Sequence, residues 1–376
     1  MARTTIRSGS GLRTRIVGAL AALFAAGATV GAQGQAVGQT RDSVARRRIQ
    51  PLPALASAPE TGLQYGATVL AVWEPAAILK TRPASLTASA LRTAKQQTRL
   101  RVDAEHWSLG NRRRLAGSLQ WQEFPLPYFG IGDVAPAVAE ETFTPKGTEA
   151  TLMIYERFAA SWYATAGIRH VNQRISAESS GVLRFGAIQG SRGGRITEWS
   201  AGVMTDTRDN LFAPRDGRWV QLSYSRSVVG VWSDFGYGTM RLDARAYRSL
   251  ANEHVIATQF QLTTVDGNAP FDQLALVGNS DILRGYARGR YRDRTMAALQ
   301  TEYRSPIRHR LGATIFAGAG TTGSSLIALG SSRLLPTYGA GLRVQLDQRQ
   351  RTGIRADYGR GREGASGLYI GFNQAF

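Results

Sequence analysis

Leu100-Arg101-Val102-Asp103-Ala104-Glu105 decides the fold. Apolar and charged residues alternate without a break. A β-strand sends successive side chains to opposite faces, so this segment has one apolar face and one ionised face. Met240-Arg241-Leu242-Asp243-Ala244-Arg245 repeats the pattern, and so does Leu342-Arg343-Val344-Gln345-Leu346-Asp347. In a soluble sandwich the apolar face looks inward. Here charges such as Arg101, Asp103 and Glu105 line one face again and again, which fits a water-filled lumen with lipid outside.

Working outward from these segments, the same period of two recurs about sixteen times, an even number as bacterial barrels require. The segments lie near 50–58, 61–73, 84–93, 97–107, 112–123, 145–157, 159–171, 196–206, 217–228, 237–248 and 253–264. After a long loop they resume near 294–304, 310–319, 337–347, 352–359 and 367–376. Connections sort by length. Short ones, such as Arg157-Phe158-Ala159, Asn252-Glu253, Pro306-Ile307-Arg308 and Gln348-Arg349-Gln350, alternate with a set holding the long stretches 124–144, 172–195, 265–293 and 320–336. Short periplasmic turns and long outer loops are the expected asymmetry, and it puts both ends of residues 50–376 on the periplasmic side.

The first residues carry Arg3, Arg7, Arg13 and Arg15, then an apolar run from Ile16 to Val30, then the small residues Gly31 and Ala32. That order is a secretory signal peptide over 1–32, cleaved after Ala32. The run falls short of the ~20 apolar residues a membrane helix needs. Polar residues 33–49 read as a short periplasmic tail. The absence of cysteine excludes disulfides, thiolate metal sites and a lipid anchor on cysteine. The net charge of +19 is almost all arginine, which suits anionic lipid headgroups or an anionic solute. In an exported chain it does not indicate nucleic acid.

The long loop carries a recognisable motif. Asp281-Ile282-Leu283-Arg284-Gly285-Tyr286 resembles the (V/I/L)RG(Y/F) motif of the sixth outer loop in the BamA/TamA-like superfamily, also called the bacterial surface antigen family. Residues 297–306 (AALQTEYRSP) resemble the strand after that loop, residues 205–217 (TDTRDNLFAPRDG) the family's periplasmic turn, and residues 51–66 (PLPALASAPETGLQYG) its opening hairpin. The resemblance implies an all-β, sixteen-stranded antiparallel barrel with the sixth loop folded into the lumen. The lumen motif would be Leu283, Arg284, Gly285 and Tyr286. Its docking residues would be Glu302, Phe316, Gly318 and Gly320, although Gly318 stands where the family usually carries an acid. Asp206, Arg208, Asp209, Pro214 and Gly217 would form the periplasmic turn. The last strand would expose an assembly signal at Gly371, Phe372 and Phe376, with Phe376 on the lipid-facing parity beside Ile370.

Parity adds detail. Glu302 shares the polar face of its strand with Gln300 and Arg304, while Leu299, Thr301 and Tyr303 face lipid. Asp347 and Asp357 take lumen-facing positions as fallback partners for Arg284. The run Arg284 to Arg294, which interleaves Arg with Tyr, reads as a loop plugging the lumen. Glu140-Glu141 read as solvated loop charges. Gly318-Ala319-Gly320-Thr321-Thr322-Gly323 matches GxGxxG but leads into a Gly/Ser-rich loop rather than a helix, so no cofactor site is assigned. His106, His170, His254 and His309 are scattered, and no GxSxG elbow is present. No catalytic or metal-binding residue is therefore assigned.

Members of this family insert proteins into the outer membrane, translocate them across it, or form barrels fused to lipases. Most inserting and translocating members carry periplasmic POTRA domains that receive clients, and this sequence shows none. The expectation is a protein or lipid insertion or translocation component working without its own periplasmic domains. Its partners would be outer-membrane lipids, the barrel assembly machinery during biogenesis, and a periplasmic partner protein. The alternative is a passive, anion-leaning pore or structural barrel.

Overall fold

The alternating segments form the wall. The structure, a computed structural model, describes residues 46–75, 81–132, 141–177, 181–348 and 351–376. The expected signal peptide, most of the expected tail and Glu140 lie outside the described residues. Sixteen long strands follow one another: β1 Arg46–Ala58, β2 Gly62–Glu74, β3 Ala84–Thr93, β4 Thr98–Trp107, β5 Arg113–Glu123, β6 Glu141–Ala159, β7 Trp162–Ala177 and β8 Gly193–Asp206. The second half comprises β9 Gly217–Ser227, β10 Tyr237–Ser249, β11 Val255–Gly267, β12 Thr295–Arg304, β13 Leu311–Gly323, β14 Leu335–Asp347, β15 Thr352–Arg360 and β16 Ser366–Phe372. Each pairs antiparallel with the next, and β16 returns to β1. Three-residue strands add to the loops: Leu126–Tyr128 on the start of β6, and Ala275–Val277 with Tyr291–Asp293.

Several boundaries differ from expectation. β1 begins at Arg46 rather than near 50, because Arg46 to Gln50 pair in register with Leu70 to Glu74. β6 starts at Glu141, not near 145, and runs through Ala159 past a bulge. Its first residue is no solvated charge: Glu141 is buried, and its carboxylate accepts the Leu183 N–H at 3.2 Å.

Parity separates the two faces. Along β14, Tyr338, Leu342, Val344 and Leu346 are exposed on the outside, whereas Thr337 and Arg343 are buried inside. Along β12, Leu299 and Tyr303 are exposed while Gln300, Glu302 and Arg304 are buried. A contiguous apolar exterior of this kind would aggregate in water, and lipid is the solvent that suits it. Exposed aromatic residues gather at both rims. Tyr65, Trp199, Tyr224, Tyr338 and Tyr358 ring the end that carries the long loops. Trp73, Phe158, Trp162, Tyr303 and Phe372 ring the end that carries the short turns. Two such girdles mark the two membrane–water interfaces.

Closure between β16 and β1 is thin. Ordinary neighbours share long ladders, as in the β10–β11 pairing from Ser249↔Val255 to Tyr237↔Gly267. The seam holds one register pair, Ser57↔Ile370. Asn373 takes a left-handed φ of 59°, and the chain leaves the wall there. The stretch of β1 before Ser57 thus runs on without a partner from β16.

Candidate functional site

The loop between β11 and β12, residues 268–294, folds into the barrel and buries its central motif. Ile282, Leu283, Arg284 and Tyr286 are 1 % exposed or less. Backbone shape fixes the motif first. Leu283 sits at φ +52° and Gly285 at +121°, two unusual turns in three residues. Gly285 needs its missing side chain: a Cβ there would lie 2.7 Å from the Arg360 carbonyl carbon. The wall supplies glycines where the loop presses closest. A Cβ on Gly320 would strike the Leu283 side chain, and one on Gly359 would lie 2.6 Å from the Arg284 carbonyl carbon.

Arg284 is the anchor. One arm of its guanidinium donates to Asp357 Oδ2 at 2.6 Å and the other to Glu302 Oε1. The planar group lies over the Phe316 ring, 3.7 Å from its centroid. This uses both properties that distinguish arginine from lysine, the two-armed donor set and the stacking face. The Arg284 carbonyl accepts from the Thr337 hydroxyl. Gly285 N–H donates to the Tyr369 hydroxyl at 2.9 Å, which in turn donates to the Tyr286 carbonyl at 3.1 Å. Tyr286 donates its own hydroxyl to the Pro336 carbonyl at 2.7 Å, and burial pushes that phenol's pKa up, keeping it a neutral donor. The Leu283 N–H reaches Gln300 Oε1 at 3.2 Å. The motif therefore touches β12, β13, β14, β15 and β16 at once.

Both carboxylates serve further arginines. Glu302 pairs with Arg304 at 2.8 Å, and Asp357 pairs with Arg343 and, at 3.2 Å, with Arg355. Arg355 also reaches Asp281 of the loop at 3.0 Å. Asp357, expected only as a fallback, is a full partner equal to Glu302. It takes up the demand that Gly318 leaves unmet, from the far side of Phe316. Gly318 itself faces the lumen but packs against Gln300 of its neighbour rather than against the motif. Asp347 lies away from Arg284.

The last residues depart from expectation. Phe376 was expected on the lipid face; instead it is 5 % exposed inside the lumen, where it packs with Tyr247 and Ala257. The turn at Asn373 redirects the chain, and Arg304 then holds the Phe376 carbonyl at 2.9 Å. Phe372 stays on the lipid side and Gly371 on the lumen side, as parity requires. The expected turn residues are brought together at the same end. Arg208 pairs with Asp206 at 2.9 Å, Asp209 pairs with Arg351 at 2.6 Å, and the Pro214 carbonyl accepts from Arg304 at 3.5 Å. Burial alone would raise the Asp209 carboxyl, but donors from Arg215 N–H, Arg351 and Asp216 N–H outweigh it and hold its pKa low. Gly217 closes the turn at φ +98°.

The lumen holds a chamber of about 830 Å³, lined by Arg99, Arg101, Arg169, Arg241, Arg288, Arg292, Glu149 and Glu198 among others. Ser57 and Ile370 of the seam border it as well. Sequence reasoning missed Tyr369, Thr337 and Gly359. Their only signal was lumen parity, which half the wall shares.

The profile of the Omp85 superfamily domain matches residues 82–375. No curated protein sequence is detectably similar to the chain. Among solved structures it is similar to BamA from Haemophilus ducreyi lacking POTRA domains 1–3, with TM-score 0.58 and 16 % identity, covering 89 % of this chain and 70 % of that one. CdiB from Acinetobacter baumannii matches with TM-score 0.55 and 13 % identity, over 87 % of this chain and 65 % of that chain. CdiB from Escherichia coli matches with TM-score 0.60 and 11 % identity, over 84 % and 61 %. At these identities the likeness is one of fold, and it agrees with the closed barrel wall described above. The match over residues 82–375 makes this chain a member of the Omp85 superfamily, an outer-membrane β-barrel.

Proposed function

We propose that this barrel inserts or translocates proteins or lipids at the outer membrane. The turn end, with both ends of the barrel strands, faces the periplasm, where a separate partner protein would deliver the client. The observation that carries this reading is the seam, a single register pair between β16 and β1. Inside a bilayer every unpaired backbone group is costly, so a sheet edge is normally closed completely. An edge joined by so short a ladder is a place where the wall can part and a client strand or lipid can enter.

The chain contains no cysteine, which makes the test clean. Directly paired residues lie close enough for a disulfide, so Ser57→Cys with Ile370→Cys locks the seam. In vesicles, the locked barrel should lose the ability to insert a client barrel or to move a labelled lipid, and reductant should restore it. Equal activity locked and unlocked would refute the reading. The arginine-lined chamber favours a second reading, a passive anion-leaning pore. That pore would conduct whether or not the seam is locked.

A further inference from the structure

We propose that Arg99, Arg288 and Arg292 form a binding site for a phosphate-class oxyanion inside the lumen chamber. All three line the same cavity. Of the other arginines lining it, Arg101 has Asp103, Arg169 has Glu149 and Glu198, and Arg355 has Asp281 and Asp357, whereas Arg241 shares the chamber without an ion pair among the described residues. Among the described residues no carboxylate comes within ion-pair distance of Arg99, Arg288 or Arg292. Arg288 lies close enough to act on both of the others, and the nearest opposing charges, Glu149 for Arg99 and Asp272 for Arg292, stand beyond ion-pair distance. Like charges held together by a fold raise its energy unless a counter-charge joins them.

The three side chains are also presented differently from ordinary surface charges. Arg99 is stacked on Phe124 at 4.3 Å and Arg292 on Phe271 at 5.3 Å, so their planes are fixed. Arg292 is only 5 % exposed and leaves Nε without an acceptor, and Arg99 leaves Nε without one too. Arg288 is exposed within the chamber and rides on the loop that Arg284 anchors, next to a turn closed by Arg290 N–H on the Ala287 carbonyl at 3.1 Å. Planar multi-donor groups lining one cavity match the tetrahedral oxygens of a phosphate better than a halide. Gln122 and Gln273 add neutral amide groups around the same space.

A phosphate can arrive from two directions. Ser57, Ile370 and Gly371 of the seam line the chamber, so a lipid phosphate can reach it from the bilayer. A free phosphate can enter through the lumen. Which source is used has no bearing on the seam-locking test, because the site depends on the loop and on β4, not on seam opening.

The test uses the full chain folded in detergent, with heat-shifted gel mobility confirming each variant's fold. Thermal unfolding is followed against pyrophosphate at constant ionic strength, and lipid retention is read by native mass spectrometry after incubation with phosphatidylglycerol micelles. Wild type should show saturable stabilisation by pyrophosphate or retention of phosphatidylglycerol. Arg288→Gln should weaken the responding probe at least tenfold, Arg288→Lys should recover part of it, and Arg226→Gln on the rim should change nothing. Response to pyrophosphate alone identifies a soluble phosphate; response to phosphatidylglycerol alone identifies a lipid headgroup. Either supports the site. Should neither probe distinguish wild type from Arg288→Gln, or should chloride substitute equally for both, the site does not exist. If Arg288→Gln fails to fold, Arg99→Gln is read in its place by the same criteria.

Discussion

Arg284→Ala is the most informative single change. It removes a fully buried guanidinium from two fully buried carboxylates. Glu302 then still holds Arg304, and Asp357 still holds Arg343 and Arg355. Neither acid is stranded, so the loss should stay below the about 3–5 kcal/mol that a buried charge left without any partner costs. Glu302→Gln alone leaves Arg284 on Asp357 and should cost about 1–3 kcal/mol, as should Asp357→Asn. Changing both acids is a different matter. Arg284, Arg304 and Arg343 would then share a dry space with no carboxylate, and the double loss should exceed the sum of the singles by at least about 1 kcal/mol. Urea unfolding in lipid vesicles, followed by tryptophan fluorescence, gives the energies, and protease cleavage within 268–294 reports whether the loop has left the lumen. The reasoning fails if Glu302→Gln costs as much in the Arg284→Ala background as in wild type, because the two residues would then act independently.

Four further outcomes are expected. Gly320→Ala should drive a methyl into Leu283 and expose the loop to protease, at about 1–3 kcal/mol, and Leu283→Ala placed on top should recover part of the loss. Phe376→Ala should lower stability by about 3–5 kcal/mol as measured by urea unfolding, because the ring is buried beside Tyr247 and not in lipid. Asp209 has a lowered pKa in the folded state, so its contribution is present above the normal carboxylate range and is lost as pH falls through its depressed value. Acid should therefore loosen the β8–β9 turn in hydrogen exchange, and Asp209→Asn should remove that pH dependence. In planar bilayers any open pore should prefer anions, and deletion of residues 284–292 should raise conductance; cation preference would refute the lumen assignment of the arginines.

Much of the wall was legible because the period of two is written in every strand. Leu299, Glu302 and Tyr303 fall on the faces that counting assigns. Strand ends were harder to read. Arg46 to Gln50 lack the alternation of the other segments, and they become strand only because β2 is long enough to pair with them. Phe376 could not be placed by parity, since one left-handed residue, Asn373, cancels the alternation beyond it. The anchor was half legible. Arg284 and Glu302 follow from the motif and from parity, but Asp357 shares its parity with Asp347. Strand register decides between them: Asp357 pairs with Gly341, near the motif contact at Thr337, whereas Asp347 stands at the far end of β14.

Every wall partner of the Leu283 to Tyr286 motif lies later in the chain than the motif itself. Gln300 and Glu302, Phe316, Thr337, Asp357 and Tyr369 belong to five successive strands, roughly 19 Å of wall at the usual strand spacing. The loop therefore cannot be satisfied when it is made, nor when only β12 or β13 has joined the sheet. Its two carboxylates come from strands separated by β13 and β14, and its last hydrogen bond comes from β16. A docked loop is thus a record that the final third of the barrel has been completed in order. A chain stalled before β15 would leave Arg284 with Glu302 as its one carboxylate partner and without the Asp357 and Tyr369 contacts, the loop only half anchored and more open to proteases, which is a physical basis for telling finished barrels from unfinished ones.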